Sequence, residues 1–161
     1  MGAGKSTILG EASCLLALRR IPHAAIDLDA LGLAFLAKTS ANDDVMYANL
    51  QSVAANYAAL GVHRFLLARA IEDRAELDLC RESIKAANTV VCRLAASIET
   101  MRQRVETREL GVSKQEFIAR ASKLNSILDT AHLEDFTVAN ENRSLTDVAL
   151  EMLTRAEWIS S

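Results

Sequence analysis

Apolar residues recur along the chain with two alternating periods. Between Lys5 and Arg20, Ile8, Ala12, Leu15 and Leu16 fall at i, i+4, i+7 and i+8, which predicts a helix with one buried face. Arg19 and Arg20 suit its carboxyl end, and Pro22 stops it. The short run Ala24 to Asp29 predicts a buried strand whose carboxyl end carries Asp27 and Asp29. Leu31 to Ser40 is of mixed character, a short helix or loop. Asp43 and Asp44 are expected to cap a helix running to about Ala59, with Met46, Leu50, Val53, Tyr57 and Leu60 on its apolar face and Gly61 after it. Asn49 and Asn56 are seven residues apart and lie one above the other near that face.

The alternation continues. His63 to Ala70, centred on Phe65 to Ala68, reads as a second strand, and Glu72 to Ala87 as a helix with Leu77, Cys80 and Ile84 inward. Thr89 to Leu94 is β-branched and bounded by small residues, a third strand. Ser97 is expected to cap a helix from Ile98 to Leu110 that carries Arg102, Arg104 and Arg108, closed by Gly111. Ser113 and Glu116 form a capping box for a long helix to about Ala131, with Phe117, Ala121, Leu124 and Leu128 inward. Phe136 to Ala139 is a last short strand. Ser144 and Asp147 open a final helix that buries Leu145, Val148, Ala149, Met152 and Leu153, with Trp158 anchoring its end. Helices alternating with strands imply an α/β fold of three layers, a mostly parallel sheet with helices on both faces, in a single domain over residues 1–161.

Composition narrows the function classes. Half of the 161 residues are apolar, enough for a real core. No apolar run reaches the roughly 18 residues that a membrane span needs, so no membrane role is expected. The net charge of −3 argues against a dedicated nucleic-acid binder. Cys14, Cys80 and Cys92 are scattered without metal-ligand or redox spacing and read as reduced core residues of a cytoplasmic protein. His23, His63 and His132 lie far apart and suggest no metal cluster.

The densest chemistry is at the amino end. Gly2-Ala3-Gly4-Lys5-Ser6-Thr7 is the second half of a phosphate-binding loop, G-x-x-x-x-G-K-[ST]. Its glycines let backbone N–H groups turn inward, and the following helix points its positive dipole end at the phosphates. Lys5 would reach the β- and γ-phosphates and the Ser6 hydroxyl would bind Mg²⁺. Such a loop follows a strand, and no such strand is in this sequence. The chain is therefore expected to begin too late, leaving its sheet either with a gap or closed up around four strands.

With this loop, the Asp27-Leu28-Asp29 stretch and the arginine-bearing helix, the chain resembles the small P-loop kinases. That group includes the shikimate, gluconate, adenylylsulfate and nucleoside monophosphate kinases, and the chain looks closest to bacterial adenylylsulfate-kinase-like ATP-binding proteins. The resemblance implies a sheet order of 2-3-1-4-5, with the first strand missing here, and ATP and Mg²⁺ as nucleotide and ion. It matches Gly2, Ala3, Gly4, Lys5, Ser6 and Thr7 to the phosphate loop. Asp27 and Asp29 match a D-x-D pair in which one acid helps hold Mg²⁺ and the other orients the acceptor hydroxyl. Arg104 and Arg108 match the lid helix, and Asn140, Asn142 and Arg143 fall where an adenine-contacting loop follows the last strand.

The chain departs from the family where the third family strand ends. Ala68-Arg69-Ala70-Ile71-Glu72 carries no aspartate immediately at the strand end, and Glu72 is the candidate to replace it. Arg69 could bind an anionic acceptor, and Asn49 and Asn56 could reach an acceptor over the sheet edge. Two readings follow: an ATP-dependent kinase acting on a hydroxyl-, phosphate- or sulfate-bearing small molecule, or a nucleotide-binding regulatory module without transferase activity.

Overall fold

The computed structural model describes residues 2–34, 41–108 and 114–160. Leu110, Gly111, Ser113 and the end of the Leu31 to Ser40 segment lie outside the described residues, as do the side chains of Arg108, Phe117 and Ala121. Helix α1 (Lys5–Leu18) leads to strand β1 (Ala24–Asp27), the short helix α2 (Leu28–Leu31) and the long helix α3 (Ala41–Ala59). Strand β2 (Phe65–Ala68), helix α4 (Arg74–Ile84) and strand β3 (Cys92–Ala95) follow. Helices α5 (Ile98–Arg108) and α6 (Lys114–Ala131), strand β4 (Phe136–Ala139) and helix α7 (Leu145–Arg155) complete the order.

The described strands form two separate parallel pairs. Ala24 lies opposite Phe65 in the β1–β2 pair, and Cys92 opposite Phe136 in the β3–β4 pair. Of the two arrangements expected for the sheet, closure around four strands is not observed among the described residues. Helix α1 spans the interruption, packing on β1, on β2 and on α7. Its Ile8, Ala12, Leu15 and Leu16 join Phe136, Val138, Val148, Ala149 and Leu153 in the main core, with Leu66 of β2 and Leu94 of β3 packed against it. A second core, built from Ile26, Leu28, Met46, Tyr47, Leu50 and Cys80, sits under α3 and α4.

Several element ends differ from expectation, each for a local reason. Strand β1 stops at Asp27 because the Asp27 carboxylate accepts from the N–H of Asp29 and caps α2. Asp29 is therefore in the first turn of a helix and not on the strand. Helix α3 begins at Ala41, so Asp43 and Asp44 occupy its first turn instead of capping it, where acids still suit the dipole. The ladder of β3 starts at Cys92, since Val91 N–H donates to the Asp135 carboxylate at 2.7 Å and Val91 C=O accepts from Asp135 N–H at 2.9 Å. Val91 of the expected strand is used in this clasp, and Thr89 and Val90 precede it outside the ladder. Helix α4 is shorter than expected, with Asp73 as its cap and Lys85 left-handed at its end.

The faces are corrected too. On α3 the buried side chains are Met46, Tyr47, Leu50 and Ala54, whereas Tyr57 and Leu60 face solvent near the end of the helix. Leu145 on α7 and Cys14 on α1 are also exposed. Cys80 is buried as expected and Cys92 half-buried, and burial pushes the Cys92 thiol up to about 12. Among the described residues, no helix is long and apolar enough to cross a membrane.

Leu16 is fully buried where α1 meets both strand pairs, so Leu16→Ala should cost about 2–5 kcal/mol in chemical denaturation. Leu145→Ala, at a position 44% exposed, should stay within about 0.5 kcal/mol in the same measurement.

Candidate phosphate-binding site

The loop at residues 2–6 takes the conformation its glycines allow. Gly2 and Gly4 have φ of 74° and 85°. A Cβ at Gly2 would lie 2.5 Å from the Met101 carbonyl oxygen of α5, and one at Gly4 would strike the Asn140 side-chain nitrogen. Glycine is therefore required at both positions by conformation and by close approach. Gly4 is the N-cap of α1 and supplies no side-chain cap, and no acid occupies the first turn. The first N–H groups of the helix thus keep their capacity and their positive end for an anion. Lys5 is half-buried and makes no hydrogen bond or ion pair with other described residues.

Two anchors hold the loop from opposite sides. On the β1 side, the Ser6 hydroxyl donates to the Asp27 carboxylate at 2.5 Å. On the β4 side, Asn140 is 2% exposed, and its side-chain N–H donates to the Ala3 carbonyl at 2.7 Å. The Asn140 N–H donates to Ala95 C=O at 2.7 Å, and its own carbonyl accepts from Arg104 at 2.9 Å. Arg104 also donates to the Gly2 carbonyl at 3.4 Å. The Ser6–Asp27 pair stands at the carboxyl end of β1 and Asn140 directly follows β4, so the loop lies at the carboxyl ends of both strand pairs. In α/β folds that is where ligands bind.

Glu141, which the sequence pattern did not single out, is a structural neighbour of the loop's anchors. Its carboxylate accepts from the Ser97 N–H and hydroxyl and from the Thr100 hydroxyl, tying the start of α5 to the segment after β4. Those bonds, the Thr100 hydroxyl first and Ser97 next, hold its carboxyl down to about 2. The acid in Asn140-Glu141-Asn142 beside a Ser97-x-x-Thr100 helix start was the available signal. Ser97 also caps α5, as expected, accepting from Thr100 N–H.

The other candidates are distributed as follows. Arg143 donates to Glu151 at 2.6 Å and to the Ala139 carbonyl, so it is engaged at the start of α7. Asn142 is exposed and left-handed at φ 54°. Asn49 donates to the Leu31 carbonyl at 2.9 Å and so fastens α2 to α3, while Asn56 is exposed further along α3. Arg69, at the carboxyl end of β2, pairs with Glu76 at 2.6 Å, Asp43 at 3.0 Å and Asp29 at 3.4 Å. Burial works against its charge most strongly, yet Glu76, Tyr47 and Asp43 together raise its pKa above the ordinary arginine value. Glu72 accepts from Arg120 at 2.7 Å. Arg102 makes an exposed pair with Glu106 along α5.

No family model and no curated protein matches this chain. Among solved structures it is similar to a shikimate kinase from Acinetobacter baumannii in complex with shikimate, at TM-score 0.59 and 17% identity, over 98% of this chain and 89% of that one. At that identity the likeness is one of fold: short parallel sheets and helices arranged similarly to a P-loop kinase. It gives no support to the finer expectation of closeness to adenylylsulfate-kinase-like proteins.

Two outcomes check this geometry. Gly4→Ala should destabilise the protein measurably in thermal unfolding, because left-handed backbone and the Asn140 side chain both oppose a Cβ. Glu141 has a depressed folded-state pKa, so its contribution is present above its unfolded value near 4.5 and is lost as pH falls towards about 2. In acid titrations followed by circular dichroism, Glu141→Gln should therefore be less stable than the parent at pH 6, with the difference closing below pH 3.

Proposed function

We propose that this chain is an ATP-dependent phosphotransferase acting on a small hydroxyl-bearing molecule. The observation that carries the reading is the Ser6 hydroxyl set 2.5 Å from the Asp27 carboxylate, at the mouth of a glycine loop that opens a helix. Hydroxyl and carboxylate oxygens are the donors a hard divalent cation takes, so Ser6 and Asp27 fit Mg²⁺. Mg²⁺ bound there would neutralise charge on the β- and γ-phosphates.

In this reading the backbone N–H groups of Gly2, Ala3 and Gly4, with the amino end of α1 at Ser6 and Thr7, bind the phosphates, and Lys5 adds a point charge. Arg104, and Arg108 one turn later on α5, stabilise charge on the transferred group. The acceptor oxygen attacks the γ-phosphorus and the bond to the bridging β–γ oxygen breaks. The hydroxyl proton passes to the carboxylate of Asp29 or Asp27, and ADP leaves. Asn140 supports the loop, and Asn142 and Arg143 border the adenine. Asn49, Asn56 and Arg69 flank the acceptor side. The strands β1 to β4 take the second to fifth places of the order 2-3-1-4-5, and the interruption between β2 and β3 is the place of the first. The three free thiols agree with a cytoplasmic setting.

Lys5→Ala should lower ATP turnover by at least about a hundredfold while leaving the melting temperature within a degree or two. Turnover at the parent level in a folded Lys5→Ala protein would sink the proposal. A second reading, a nucleotide-binding module without transfer, is favoured by Glu72, which is engaged by Arg120 instead of facing the loop as a free acid. Calorimetric ATP binding without ATP consumption across a broad panel of hydroxyl compounds would decide for that module.

A further inference from the structure

Beside the phosphate loop, the Arg69 guanidinium is 17% exposed and closed on by three carboxylates from different elements: Asp29 of α2, Asp43 of α3 and Glu76 of α4. Three residues on from Arg69, Glu72 takes the guanidinium of Arg120. Within this network of described ion pairs, four carboxylates thus meet two guanidinium groups, an excess of two negative charges. An anionic group could reach Arg69 by displacing one of these acids, which would then stand uncompensated beside the newcomer. Like charges repel, and at the buried end a broken Arg69–Glu76 pair would leave a desolvated carboxylate behind.

Taking the phosphotransferase reading as given, we infer that the acceptor is an uncharged or cationic hydroxyl compound and not a carboxylate, phosphate or sulfate. Arg69 is a positioning residue: it holds Asp29 and Asp43 in place and offers no receptor for an anion. Asp29 is 68% exposed and Asp43 is 71% exposed, so both retain acceptor capacity towards solvent for hydroxyl or ammonium donors. This preference is opposite in sign to the phosphate side, where Lys5 and the amino end of α1 present positive charge.

The test uses the full chain, loaded with a non-hydrolysable ATP analogue, and two probes of matched shape: shikimate, a hydroxylated carboxylate, and its uncharged methyl ester. Titration calorimetry should show the ester bound at least about tenfold more tightly than the acid, the scale of one like-charge contact. Asp43→Asn, an exposed change that frees part of Arg69, should narrow that ratio by tightening the acid alone. A structural role for Arg69 without influence on charge selection would leave the ratio unmoved. Equal or tighter binding of the acid by the parent protein overturns the inference, and so does binding of neither probe by either protein. ATP turnover at the parent level in a folded Lys5→Ala protein would remove the phosphotransferase reading and leave the charge preference intact. Equal probe affinities with normal ATP binding would do the reverse.

Discussion

The structure depends on Asn140. It is a buried polar group, and such a group is costly unless its hydrogen bonds are made. Here its side-chain N–H donates to Ala3 in the loop, its backbone N–H donates to Ala95 at the end of β3, and its backbone carbonyl accepts from Arg104 on α5. Replacing this amide by an apolar side chain would leave the Ala3 carbonyl short of its partner. The same group also determines why residue 4 is glycine, since the amide occupies the space a Cβ would need. One buried residue, through its amide and its backbone together, thus links the sheet, the glycine loop and the arginine-bearing helix.

On the other side, the loop meets β1 through Ser6 and Asp27. The two anchors belong to different strand pairs, and no described strand joins those pairs. What joins them is α1, whose apolar face shares one core with β4 and α7 while also receiving Leu66 of β2. The relative placement of Asp27 and Arg104 therefore rests on side-chain packing under α1 instead of on a continuous hydrogen-bonded ladder. Close packing transmits strain, so substitutions in that core are felt at the loop even without contact to it.

Period and caps made most of the fold legible. The α1 face was readable because four apolar residues at helical spacing all end up buried. Ser97 and Ser144 were readable as caps because their hydroxyls accept from the N–H three residues on. Misplaced ends trace to side chains that compete with the ladder. Asp27 turns the chain into α2, and Asp135 takes the hydrogen bonds that Val91 was expected to give to a strand. Periodicity carries no information about such bonds between residues far apart in sequence. For the same reason Glu141 was missed, as its partners lie more than forty residues away.

Arg104 and Arg69 show why residue type alone misleads about electrostatics. Arg104 donates to the carbonyls of Gly2 and Asn140, which are neutral, so its charge is not cancelled by the groups that hold it. Arg69 is held by three carboxylates, so its charge is more than cancelled. In a sequence both read as cations at element ends and both suggest anion binding. In the fold one stands among dipoles and the other among acids, and their fields beyond the first contact have opposite sign. A site with a positive wall around the loop and a negative wall beyond it is polarised. The direction of that polarity is set by which hydrogen-bond partners each guanidinium finds, not by how many arginines the chain contains.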